Sequence, residues 1–203
     1  MRSTDAEPGD AAYWSAVAAT YDSAPDHGLA DPGVREAWRQ RLAQWLPEPP
    51  ASVASLGCGT GSPASLAAAA GHHVTGVDFA AAMIDRARSK AEAAGLHVRY
   101  VVGDAARPPI IPGTLDVVLL RHVLWALPDP AGAVAQWVSL LRPGGRFVFV
   151  EGEWSTGAGL TSDRTQALLE PHCERIEVEH LADPGLWGRP IEDDRYVARG
   201  WLG

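Results

Sequence analysis

The chain has 203 residues, 46% of them hydrophobic and 21% charged, which suits one globular domain with at most a short appended segment. A formal charge of −8 argues against a nucleic-acid partner, whose phosphates need Lys and Arg, and two cysteines make no disulfide framework. No apolar run is long enough to span a bilayer and the N-terminus lacks a signal peptide's apolar stretch, so the expectation is a cytoplasmic protein with no membrane partner.

Residues 1–9 read as disordered. Asp10 can cap a helix to about residue 20, with Trp14, Val17 and Tyr21 at helical spacing. Asp31 and Pro32 form a cap and first-turn pair, and Val34, Trp38, Leu42 and Trp45 then make one apolar stripe before the prolines at 47, 49 and 50. From residue 51 the pattern becomes strand, turn, helix, repeated. A strand at 53–56 leads through a glycine-rich turn at 57–61 into a helix at 62–70. A strand at 73–77 precedes a helix at 80–94 with Ile84, Ala87, Ala91 and Ala94 on one face, and a third strand follows at 97–102. Residues 115–120 are nearly all apolar, as a strand buried on both faces requires. Asp129 and Pro130 start a helix carrying Val134, Trp137, Val138 and Leu141, and a turn at 142–145 opens a strand at 146–150. A helix near 162–169 and strands near 175–178 and 195–198 complete an α/β, doubly wound, mostly parallel sheet with helices on both faces.

In such a sheet ligands sit beyond the C-terminal strand ends, where the strand order reverses. The turn Gly57-Cys58-Gly59-Thr60-Gly61 follows the first strand and opens a helix; its glycines permit a sharp turn and close approach of a ligand to the backbone. A dinucleotide fingerprint would place its third glycine at 62, but that position is Ser and the glycine comes at 61, which disfavours a nicotinamide oxidoreductase. Asp78 ends the second strand about twenty residues beyond Gly57, where an acid can hold ribose hydroxyls, and it is equally suited to cap the next helix. Phe79 and Met83 offer an apolar bed for an adenine ring. Asp104, after the third strand, can accept from the exocyclic amine of adenine, with the Ala105 amide reaching a ring nitrogen.

The segments 53–61, 74–78, 103–105, 124–129 and 140–145 resemble the successive motifs of class I S-adenosylmethionine-dependent methyltransferases, and most resemble the type 11 (ubiquinone/menaquinone-biosynthesis-like) subgroup with its small actinobacterial members. The resemblance covers about residues 50–152 strongly. It implies a seven-stranded sheet with the last strand antiparallel, S-adenosylmethionine as cofactor, and a division into a helical substrate cap at 1–50 and a cofactor-binding domain at 51–203. Gly57, Cys58 and Gly59 would then approach the methionine end, Asp78 the ribose, and Asp104 with Ala105 the adenine. Arg121 occupies a position that often contacts the cofactor, and Tyr21 resembles an N-terminal tyrosine packed beside it. Two departures stand out. Ser55 replaces the acid usual two residues before the first glycine, and Ala126 stands where many relatives carry His.

Methyl transfer is an in-line displacement for which the protein supplies approach geometry and a dry pocket, with a base only where the nucleophile must lose a proton. His122 is the candidate base, weighed against a histidine that merely bonds cofactor or backbone. Tyr13, Trp14, His27 and Trp125, with Trp154 and Trp187, are candidates for acceptor binding, although core packing competes for each Trp. No Asn/Asp-Pro-Pro-Tyr/Phe tetrad follows the fourth strand, which favours a small-molecule methyl acceptor, and no His/Cys/carboxylate cluster has metal-ligand spacing. A binding module that keeps the cofactor pocket without turnover is the alternative, supported by Ser55 and Ala126.

Overall fold

The computed structural model describes residues 10–203; the disorder expected of residues 1–9 lies outside the described residues. The aspartates expected as caps act as caps. Asp10 accepts from the Ala12 amide ahead of α1 (Ala11–Tyr21), Asp31 from Val34 ahead of α3 (Pro32–Trp45), and Asp129 from Gly132 ahead of α6 (Pro130–Val138), each at 2.9 Å. Between α1 and α3 lies a four-residue helix, α2 (Pro25–Gly28). The other helices are α4 (Ser62–Ala69), α5 (Ala81–Ala93), α7 (Ser162–Leu169) and α8 (Pro184–Trp187).

The strands are β1 (Ser52–Leu56), β2 (His73–Asp78), β3 (Val98–Val102), β4 (Leu115–Arg121), β5 (Leu141–Glu153), β6 (Arg175–His180) and β7 (Asp194–Trp201). They form one seven-stranded sheet in the order β3-β2-β1-β4-β5-β7-β6, parallel except for β7, which runs antiparallel to both its neighbours. Alternate strand residues enter two separate cores. Val53, Val117 and Val148 face Trp38, Trp45 and Ile84 of α3 and α5; Val118, Phe147 and Phe149 face Trp137 of α6 and Leu169 of α7. Helices thus cover both faces, and the order reverses between β1 and β4, which places the ligand crevice between those strand ends.

Three sequence expectations need correction. Leu141 does not extend α6; it opens β5, paired with Leu115, because the helix ends at Val138. Residues 142–145 are therefore an irregularity inside the strand, where the ladder jumps to Val117 opposite Arg146; Pro143 has no N–H to donate and Gly144 sits at φ 72°. Ala94 is exposed, since α5 stops one residue earlier and its buried stripe ends at Ala91. The short helices α2 and α8 and a single 3-10 turn at Leu124–Ala126 were not foreseen, being too brief to show a period.

Of the N-terminal helices α3 shares the main core, while Ala18 of α1 packs in a separate small cluster with Ala80 and Met83. The Trp38 indole donates to the Leu186 carbonyl at 2.7 Å and its ring meets Trp187 edge-on at 5.4 Å, so α3 is riveted to α8. Among the described residues no helix is long and apolar enough to cross a membrane.

Candidate active site

Where β1 and β4 diverge, the turn after β1 meets the loop after β4. Gly57 holds φ +59°, and a Cβ there would lie 2.5 Å from a methyl of Val123, so both backbone conformation and crowding demand glycine. Gly59 also lies in the left-handed region, and its amide donates to Asp78 Oδ2 at 2.8 Å. The other oxygen of Asp78 accepts from Ala80 at 2.9 Å. Asp78 therefore braces the glycine turn and, through Ala80, the start of α5 as expected of a residue ahead of that helix. Burial pushes its carboxyl up, and the two amides pull it back.

A cavity of about 650 Å³ opens over this junction. Of the candidate residues, Trp14, Tyr21, Gly57, Gly59, Asp78 and Phe79 line it. Met83, Asp104, Ala105, Arg121 and His122 line it too. Phe79 is 40% exposed, an open apolar surface at a cavity wall, whereas Met83 is fully buried beneath. Asp104 turns one oxygen to the Ala106 amide at 2.8 Å, and the Ala105 carbonyl accepts from Trp137 at 2.8 Å.

Cys58 does not line this cavity but borders the narrower cleft behind the glycine turn. Its amide donates to the Val77 carbonyl at 3.0 Å, its thiol is buried against Gly76, and burial holds that thiol far above its ordinary pKa. It borders only a narrow cleft with Ser55, Thr60, Ser62 and Arg121. Asp22 reaches the same cleft through Thr60, whose hydroxyl it accepts at 2.5 Å, and Lys90 binds Asp22 at 3.0 Å and Thr60 at 3.2 Å.

Arg121 lines the cavity, and its side chain also ties the N-terminal segment to β4. The guanidinium donates to the carbonyls of Asp26 at 2.5 Å and His27 at 3.3 Å and lies over the Trp38 ring at 5.1 Å. Arg195 of β7 binds the Asp26 carboxylate at 3.0 Å and Asp193 at 3.1 Å, with its own guanidinium 4.2 Å above Trp187. Lys90, Arg121 and Arg195 thus fasten residues 22–27 to α5, β4 and β7. This places Tyr21 beside the glycine turn, with Trp14 edge-on to it at 6.1 Å and His27 stacked on it at 4.2 Å. Tyr13 packs edge-on to Trp14 at 5.2 Å; neither Tyr13 nor His27 lines the cavity, so both stand behind the residues that do.

His122 follows β4 with φ +59°, unusual for a residue with a side chain. Its ring lies edge-on to Trp154 at 5.1 Å and stacked near Trp187 at 6.1 Å, and Nε2 is buried without a hydrogen-bond partner among the described residues. Burial first, then Arg121, Arg195 and His27, push its pKa well below the ordinary histidine value. Trp125 donates to the His122 carbonyl at 3.1 Å and leans on Trp154 at 5.4 Å, flanking His122 without lining the cavity. Trp187 is fully buried and gives its N–H to the Leu181 carbonyl, so it supports His122 from the core.

Sequence reasoning missed the cationic fastenings, because Lys90, Arg195 and Asp26 lie far apart in the chain. It also missed Glu151, whose signal was an acid closing the apolar run 147–150; the carboxylate accepts the Val123 amide at 2.8 Å and the Leu124 amide at 2.7 Å. Among the described residues no group of three His, Cys, Asp or Glu could hold a metal.

Residues 54–149 match the type 11 methyltransferase domain family. A demethylmenaquinone methyltransferase of Thermus thermophilus is 35% identical over 68% of this chain and 63% of its own length. Aklanonic acid methyltransferase DauC of Streptomyces is 33% identical over 64% of this chain and 63% of its own. The chain therefore spans somewhat less than two thirds of these relatives. The N-methyltransferase NodS of Bradyrhizobium japonicum, solved with S-adenosylhomocysteine, shares the fold at a TM-score of 0.71 and 20% identity, over 93% of this chain and 98% of that one. The glycine turn, the acids closing β2 and following β3, and these likenesses agree: residues 54–149 form a methyltransferase domain of the type 11 family, similar to S-adenosylmethionine-dependent enzymes.

Proposed function

We propose that this chain transfers a methyl group from S-adenosylmethionine to a hydroxyl or amine of a small molecule, in the cytoplasm and as part of secondary metabolism. The observation that carries the reading is the convergence of Gly57, Gly59, Asp78, Asp104 and His122 on one cavity. The residues fit the cofactor. Asp78 is buried and spends one lone pair of each oxygen on an amide, which keeps its other lone pairs directed for ribose hydroxyls. Asp104 and the Ala105 amide suit adenine, Phe79 and Met83 its faces, and Gly57 and Gly59 the close approach of the methionine end. Ser55 brings no charge to that end, and Asp22, arriving through Thr60, is the carboxylate nearest by connectivity to replace the missing acid.

When bound, the cofactor supplies the electrophile, a methyl group on a sulfonium. Tyr21 and Trp14 shield the cavity from water, and their ring faces favour the sulfonium's positive charge. His122, held neutral by burial and two arginines, lines the cavity as the group that would meet the acceptor. Such a weakly basic imidazole suits an acidic hydroxyl, from which it can take a proton, or an amine that it only orients. The relatives named as methyltransferases act on small molecules, which supports an acceptor of that class; Trp14 and Tyr21 face it at the cavity, with Tyr13 and His27 backing their rings and Trp125 holding the His122 carbonyl.

Calorimetric titration with S-adenosylhomocysteine and with NAD tests the cofactor, binding of the first alone being expected. Incubation of metabolite extracts with isotope-labelled S-adenosylmethionine, read by mass spectrometry, tests transfer. Binding without any labelled product would favour the non-catalytic module, for which Ser55 and Ala126 speak.

A further inference from the structure

Glu151 lies on β5 with 0% of its surface exposed. Its Oε1 alone accepts both the Val123 and the Leu124 amides, while Oε2 is buried without a hydrogen-bond partner among the described residues. Those two amides come directly after His122 and open the 3-10 turn at Leu124–Ala126. Val123, Ala126, Leu127 and Asp129 of the same loop line the cavity. One carboxyl oxygen therefore ties the loop that carries His122, and one cavity wall, to the sheet.

Among the described residues no cation pairs with Glu151, and the two amides alone favour its charged form. Tyr196 of β7 is its register partner, and the Tyr196 hydroxyl is committed to Thr165 of α7 at 2.6 Å and to the carbonyls of Leu160 and Thr161. Asp194 and Glu153, farther along the same two strands, are acidic themselves. The loop's own titratable group, His122, takes its field from Arg121, Arg195 and His27. Burial without a counter-ion pushes the Glu151 carboxyl up to about 8, against the pull of the two amides.

We propose that Glu151 is a positioning residue that, as the neutral acid, holds the His122 loop against the cofactor cavity through the Val123 and Leu124 amides and loosens that hold when it ionises. With the proton on Oε2, Oε1 remains a carbonyl oxygen that can accept twice. Loss of the proton leaves an unpaired charge in an apolar core, a cost relieved by opening the loop to water. The proposal rests on the reading of the cavity as the cofactor site.

The test is the affinity for S-adenosylhomocysteine, measured calorimetrically from about pH 6.5 to about pH 9.5, for wild type, Glu151→Gln and Glu151→Ala. Wild-type affinity should fall about fivefold or more as pH rises through the carboxyl's titration. Glu151→Gln keeps the accepting oxygen and cannot ionise, so its affinity should match wild type at the low end and stay flat. Glu151→Ala orphans two buried amides and should bind about tenfold more weakly throughout. A flat wild-type curve, or a Gln variant that follows the wild-type curve, overturns the proposal. If the Ala variant fails to fold, the comparison of wild type with Gln still decides. A wild type that binds no S-adenosylhomocysteine at any pH overturns the cofactor reading and takes this proposal with it.

Discussion

The two halves of the cavity are built by different means. The half proposed for the cofactor comes from short range: the turn at 57–61, Asp78 and Asp104 each sit at a strand end, and neighbouring strands in register bring them together. The half proposed for the acceptor comes from long range. Residues 21–27 are held there by Lys90, Arg121 and Arg195, from three elements spread over the chain, and His122 is wedged among rings from two further segments. A site of the first kind is set by sheet topology and survives variation elsewhere. A site of the second kind depends on buried charges that must each find a partner.

That contrast breaks most sharply at Asp78. Asp78→Ala removes the ribose acceptor and frees the Gly59 and Ala80 amides in a buried turn. S-adenosylhomocysteine affinity measured by calorimetry should fall about a thousandfold, on the order of 4 kcal/mol, while the sheet stays folded by circular dichroism. Affinity within about tenfold of wild type would remove Asp78 from the cofactor half.

Arg195→Leu addresses the other half and should act on stability first. It strands the buried Asp26 carboxylate and removes the guanidinium from Trp187, so unfolding free energy in urea should drop by roughly 3 kcal/mol. Adding Asp26→Asn should return a large part of that loss, because the stranded charge goes with it. If the double variant is no more stable than the single one, packing on Trp187 and not the ion pair holds the segment.

These differences in construction explain what was legible in the sequence. The strand-turn-helix alternation, the three aspartate caps and the glycine spacing are local signals, and the elements they mark are where they were expected. Leu141 was misplaced because an apolar residue at helical spacing can as well begin a strand, and only pairing with Leu115 decides. Arg121 was placed at the site from its position after β4, where it lines the cavity; its bonds to the carbonyls of Asp26 and His27, far away in the chain, were not legible. Cys58 was placed in the cofactor set by its position between two glycines; that its thiol packs against Gly76 of β2 was not legible. Buried pairing of this kind leaves no period and no spacing to read.

His122 gives a pH test of the acceptor half. Its folded pKa lies well below the unfolded value near 6.5, so the neutral form is favoured on folding. The stability this contributes is present above the unfolded pKa and is lost as pH falls below it. With one proton taken up on unfolding, the loss should approach about 1.4 kcal/mol per pH unit below that value. His122→Gln should flatten the acid limb of the urea-stability curve by that slope, whereas an unchanged limb would mean that His122 titrates as an ordinary exposed histidine.

The smallest effect is expected at the joint between the halves. Asp22 accepts from Thr60 in the glycine turn and pairs with Lys90, but both charges are partly exposed, at 20% and 32% of their side-chain surface. Screening by water keeps such a pair to about 0.5–1 kcal/mol. Asp22→Asn keeps one oxygen for Thr60 and loses the charge, so the melting temperature should move by only a few degrees. Hydrogen exchange is the sharper readout, since it reports local opening free energies. Amides at the C-terminal end of α1 should exchange about threefold faster, with those of β1 and β4 unchanged. Faster exchange that spreads into β1 would mean that the N-terminal segment and the glycine turn open as one unit, and the line between the two halves would have to be redrawn at α5.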